Sequence, residues 1–191
     1  VNFENGDQIG FTMTKVNGTE AYADNAALTF DGTVFSGDLM WYADAYSEAD
    51  VYAYYPYNAN GTPAAYAAVL DQTAGIAQAD FMAAAKKGVL PTPNAITMVF
   101  KHLMTKIVVN IDNQSGADVT AVKILGGDAA CEIDLPNLAV LPASGAMSTE
   151  LTEITAYEAT AGKVWKAIVI PQTVKLSVEV SLSNGKKITQ P

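Results

Sequence analysis

The chain has 191 residues, half of them hydrophobic and only 16% charged, with a formal net charge of −9 at pH 7. That composition supports a packed core and excludes a disordered chain, and no apolar run approaches the ~20 residues of a membrane-spanning helix. All 11 basic residues are lysine, and an acidic protein without arginine is a poor nucleic-acid or phosphate binder.

From the N-terminus, "GDQIGFTM" (6–13) puts Ile9, Phe11 and Met13 on one parity, the mark of a half-buried strand. "VNGTEAY" (16–22) carries the Asn-Gly signal of a tight hairpin. "ALTFDGTVFSGDLMWY" (27–42) reads as strand, Asp-Gly turn and strand, and "ADVYAYYPY" (49–57) as a tyrosine-rich strand stopped by Pro56. Residues 58–94 are rich in Ala, Gly and Pro. Within them "DFMAAAKKG" predicts a short helix over 80–87, with Asp80 as N-cap, lysines in the last turn and Gly88 as the stop.

The stretch "MVFKHLMTKIVVNID" (98–112) changes phase. Ile96, Met98 and Phe100 share one parity; Leu103, Ile107, Val109 and Ile111 share the other. A one-residue slip turns the buried face over, so the chain leaves one sheet for another at Phe100–Leu103, beside His102. Further strands follow at "DVTAVKILGG" (118–127), "ACEIDLP" (130–136), "STELTEITAYEA" (148–159) and the almost wholly apolar "KVWKAIVIPQT" (163–173). In "VKLSVEVSLSNGKKITQ" (174–190), Val174, Leu176, Val178, Val180 and Leu182 alternate with polar residues, and Asn184-Gly185 turns a hairpin. Many short strands between turn signals predict an all-β fold of two sandwich domains, 1–94 and 95–191, the second expected to lack its last strands.

Few residues suggest chemistry. His102 is the only histidine and has no serine elbow or metal-spaced partner; it reads as a histidine packed at a strand bend. Cys131 is a single cysteine in a strand-like setting, read as a buried hydrophobe. The aspartates sit mostly in turns, where they bond locally. No catalytic residue, cofactor or metal follows. The cluster of Trp41, Tyr42, Tyr52 and Tyr54 is the one candidate for an outward binding patch, because such side chains bury area while keeping a polar edge.

Five stretches in order, "FENGDQIGFTM", "DVYAYYPYN", "DQTAGIAQADFMAAAKKG", "VFKHLMTKIVVNI" and "KAIVIPQTV", resemble the fimbrillin and Mfa-like family of anaerobic Gram-negative bacteria. The resemblance implies two tandem transthyretin-like β-sandwich domains. It also implies export as a lipoprotein to the cell surface or outer membrane, with no role as an enzyme. The partners it implies are other pilus subunits, joined by strand donation, with a host protein or glycan as a further partner and the membrane met only through a lipid anchor. A free-standing surface module that binds glycan or protein with the same fold is the alternative.

Overall fold

The structure is a computed structural model that describes residues 3–18, 21–41, 46–143, 151–173 and 175–191. The described residues form antiparallel sheets with sandwich-type cores, and the one helical turn among them is a three-residue 3-10 turn, Ala77–Ala79. The chain divides into two compact units: Val1–Ala64, Phe81–Leu103 and Ile133–Ala139 form the first, and Ala65–Asp80, Met104–Glu132 and Val140–Pro191 form the second. The units are thus interleaved along the sequence, whereas the sequence reading placed a single cut at 94/95. Leu103 closes a stretch of the first unit and Met104 opens one of the second.

With strands numbered in chain order, the first unit holds one six-stranded sheet in the order β3-β2-β1-β4-β6-β7. Its members are β1 (Gln8–Lys15), β2 (Ala21–Phe30), β3 (Phe35–Ser36), β4 (Ala49–Tyr55), β6 (Met82–Val89) and β7 (Lys101–His102). Ile9, Phe11 and Met13 point into the core as their parity requires, together with Leu28, Val51, Ala53 and Met82. Phe3, Phe35, Ile96, Met98 and Phe100 pack against them.

The predicted helix over 80–87 is a strand, β6, paired with β4 through Tyr52↔Ala85, Ala53↔Ala84 and Tyr54↔Ala83. Helix propensity is a weak prior, and tertiary burial overrides it. Ala83 and Ala84 are fully buried, so this strand needs side chains small enough to sit among the tyrosines of β4. Asp80 closes the 3-10 turn instead of opening a helix. Gly88, read as a helix stop, takes φ +63° where the β4–β6 register shifts, a use of glycine's left-handed freedom in a β-bulge.

In the second unit, β9 (Val119–Asp128), β12 (Leu151–Thr155), β15 (Ser177–Leu182) and β16 (Lys187–Gln190) make a sheet in the order β12-β9-β15-β16. β8 (Thr105–Asn110), β13 (Tyr157–Thr160) and β14 (Val164–Val169) make another, in the order β13-β14-β8. A separate three-stranded sheet, in the order β11-β10-β5, is formed by β5 (Ala65–Ala67), β10 (Ala130–Asp134) and β11 (Ala139–Pro142). The core gathers Val122, Ile124, Ile154, Trp165, Ala167 and Val169, with Ile107, Val109, Leu176, Val178 and Val180 packed on it. In β15, Val178 and Val180 pack on the core as expected, although the polar residues between them are half-buried too; the Asn184-Gly185 hairpin is present, Gly185 taking φ +81°, and Val174 lies outside the described residues.

Candidate functional site: an apolar groove in the first unit

One face of β1 and β2 is lined by Ile9, Phe11, Met13, Leu28 and Phe30. Above it the chain passes twice, at 33–41, where only the short edge strand β3 pairs, and at 94–100, which joins no sheet among the described residues. Between these passes and the strands lies a groove of about 510 Å³. Its walls are aromatic and sulfur-rich: Phe3, Phe11, Phe35, Phe100, Trp41, Met13, Met40 and Met98 all line it. Such side chains adapt to irregular apolar partners. Among the lining residues Val34, Leu39 and Met40 are exposed, Met40 at 81%, apolar surface of the kind that marks an interaction site.

Residues 95–100 explain why the groove is open. They alternate as a strand does, with Ile96, Met98 and Phe100 half-buried on the core and Ala95, Thr97 and Val99 exposed. Yet they belong to no strand ladder among the described residues. Unpaired backbone N–H and C=O groups along an extended segment are a template for a further strand. Sheet edges elsewhere in this unit are less inviting. β7 pairs with β6 only at Met82 and Ala83, and beyond that β6 presents Lys86 and Lys87, both exposed; lysines on an edge discourage pairing.

The aromatic patch expected from sequence is dispersed. Tyr54 is a core residue, 1% exposed. Its hydroxyl donates to Asn25 Oδ1 (2.5 Å) and accepts from Asn58 N (3.2 Å), and its ring stacks on Phe81. Burial pushes its phenol pKa up. The expectation of an outward Tyr54 is therefore corrected: its ring lies over Gly10, directly opposite on β1, where a Cβ would come within 2.1 Å of it. Tyr52 is half-buried, its pKa raised by burial and then by the Asp50 carboxylate 3.4 Å from its hydroxyl. Of the described members of the set, Trp41 alone lines the groove, and its indole N–H donates to Thr92 O (2.9 Å). Tyr42 lies outside the described residues.

The candidates for chemistry fall in separate places. His102 is exposed on β7, opposite Met82. Cys131 is buried in the second unit on β10, and burial pushes its thiol pKa up to about 11, the reverse of an activated nucleophile. Among the described residues, no group of three His, Cys, Asp or Glu side chains is placed to hold a metal. No helix among them is long and apolar enough to cross a membrane. The groove itself was half legible: the parity of Ile96, Met98 and Phe100 is visible in sequence, but their lack of a ladder partner is not.

Fold and site define a class first: an all-β protein of two antiparallel units whose open feature is an apolar groove flanked by an unpaired extended segment. A model of the fimbrillin-like family matches residues 1–191, and the chain belongs to that family. No curated protein matches the sequence. Among solved structures the chain is similar to a candidate cell adhesion protein from Bacteroides uniformis, at 22% identity and a TM-score of 0.77, covering 98% of this chain and 78% of that one. A candidate cell adhesion protein from Bacteroides ovatus is similar at 23% identity and a TM-score of 0.71, covering 98% and 76%. A fimbrial protein from Bacteroides ovatus is similar at 18% identity and a TM-score of 0.61; the match covers 100% of this chain but 41% of that one. At these identities the likeness establishes the fold.

Proposed function

We propose that this protein is a non-catalytic, cell-surface subunit of a pilus-type adhesive assembly, and that the groove of its first unit accepts a β-strand from a neighbouring subunit. The observation that carries this reading is the extended, ladderless segment 95–100 lying beside an apolar groove of about 510 Å³. An incoming strand would pair with that segment and place alternate side chains over Phe11, Met13 and Leu28. Filling the groove with three apolar side chains contributes on the order of 5–9 kcal/mol, at about 1.5–3 kcal/mol each. That is enough to offset the low end of the association cost, about 4 kcal/mol, and it favours a partner held close by polymerisation. Family membership and the fimbrial and adhesion-type structural neighbours support the same reading. Anchoring through lipid at the outer membrane, and contact with a host protein or glycan, belong to it as further expectations.

The test uses the exposed rim. Leu39→Asp and Met40→Asp leave the core intact but place carboxylates where an inserted strand would desolvate them. Assemblies released from the surface of expressing cells are sized by native mass spectrometry. Both variants are expected to appear as monomers where the wild type forms multimers. Multimers of wild-type size in both variants would sink the proposal.

A further inference from the structure

A side chain joins two sheets of the second unit. β12 ends at Thr155 and β13 begins at Tyr157. Between them Ala156 N–H donates to Val122 O (2.9 Å), so the chain changes sheet at this corner. β13 pairs with β14 only from Val164 to Lys166, and Ile168 lies beyond its reach. Segment 70–73 fills the place. Thr155 N–H donates to Leu70 O (2.8 Å) and Gln72 N–H to Thr155 O (3.0 Å).

The Gln72 side chain then completes β14. Its Nε2 donates to Ile168 O (2.8 Å) and its Oε1 accepts from Ile168 N–H (2.8 Å). The second Nε2 hydrogen goes to Val69 O (2.9 Å). A donor and an acceptor on one opposite residue is the pattern of a closely paired antiparallel rung, here made by an amide side chain with the donors and acceptor that rung requires. Gln72 is 1% exposed. Asp71 holds it inward: its Oδ1 accepts from Thr73 N–H (3.0 Å) and Thr73 Oγ1 (2.7 Å), closing a turn whose other members face solvent.

We infer that Leu70–Thr73 is an edge clasp locked by Gln72, which denies the β12–β14 corner to an incoming strand. The inference rests on the strand-accepting reading proposed above. It assigns Gln72 as a specificity-determining residue: it closes this edge to a neighbour's strand.

The test compares Gln72→Met, which keeps the length without the bonds, with Gln72→Glu. A protonated glutamic acid can remake both bonds to Ile168, and an ionised one cannot donate. Amide hydrogen exchange is read at Ile168, with Ala167 and Val169 as internal controls, because successive peptide groups point to opposite edges and theirs face β8. In Gln72→Met, Ile168 is expected to exchange about 10- to 100-fold faster relative to those controls. Native mass spectrometry of the same samples should show dimers that Leu39→Asp does not remove. Gln72→Glu should show the open state at neutral pH and close on acidification. If Gln72→Met disturbs all amides alike, the two pH states of Gln72→Glu decide. Wild-type protection of Ile168 in the variants, or an opened edge with a monomeric protein, overturns the inference. Dimers of Gln72→Met beside a wild type that takes no strand would leave the clasp standing and the groove reading refuted. Strand uptake by the wild type with no dimers of Gln72→Met would do the reverse.

Discussion

Gly10→Ala is a sharp probe of the first unit. Gly10 and Tyr54 are directly opposite on β1 and β4, and a Cβ at residue 10 would sit 2.1 Å from Tyr54 Cε1 and 2.4 Å from Cζ. Apolar atoms prefer about 3.5–4.0 Å, so the ring must move by more than about 1 Å. It has little freedom to do so. Its hydroxyl is bonded to Asn25 and Asn58, and its face is stacked on Phe81 at 5.8 Å and 9°. Overpacking costs about 1–3 kcal/mol, and weakening the hydroxyl bonds adds about 0.5–1.5 kcal/mol. Replacing glycine in a strand returns about 0.5–1 kcal/mol. The net expectation is a loss of about 2 kcal/mol, read from urea denaturation midpoints at unchanged slope. In a Tyr54→Ala background the clash is gone, so the same change should be neutral or stabilising. An equal cost in both backgrounds, or no cost in the wild type, would refute this account of why glycine faces tyrosine.

Other consequences can be checked alongside. Asp31, held by Val34 and Thr33 N–H, Asp71, held by Thr73, and Glu153, held by Lys123, all have pKa values below the ordinary carboxylate range. A depressed folded-state pKa stabilises at neutral pH, so stability should fall as pH drops through about 4 and below; denaturation midpoints that rise over that window would contradict it. Cys131, with its thiol raised to about 11, should react with maleimide at neutral pH at least about 100-fold more slowly in the folded protein than in urea, and equal rates would show the thiol to be accessible. Trp41→Phe removes the bond to Thr92 and should cost about 1 kcal/mol. The indole N–H of Trp165 has no protein acceptor among the described residues, so Trp165→Phe breaks no bond, and its cost in the same denaturation assay should be only that of the volume removed from the core. Gln172→Ala should loosen the end of β9, where Oε1 accepts from Asp128 N–H (2.7 Å) and Nε2 donates to Gly126 O (3.2 Å); faster exchange at Asp128 would register it, and unchanged exchange would show that the bond adds nothing.

Sequence pattern carried the fold class because period-2 alternation survives wherever a strand has one buried face. Phe11 in β1 and Val178 in β15 are examples. It failed at β6, where four consecutive small or apolar residues fit a helix as well as a doubly buried strand and only the tyrosines of β4 decide between them. Interleaving of the units was hidden for a similar reason. Residues 65–80 are short of hydrophobic alternation, and they are held by the short β5–β10 pairing, a few backbone bonds and side-chain bonds such as those of Gln72. The tyrosine-rich strand was visible as a cluster, yet composition does not say that Tyr54 covers a glycine while Trp41 lines a groove.

The most direct measurement adds a short soluble peptide that alternates valine with threonine and lysine to the Trp165→Phe protein. A peptide of the same composition with its valines in one block is the control. Amide exchange over residues 95–100 and the emission of Trp41 are followed together. Strand uptake in the groove should protect those amides and shift Trp41 to the blue with the alternating peptide only. Unchanged amides and emission at saturating peptide, or the same response to both peptides, would contradict the claim that this groove receives a strand.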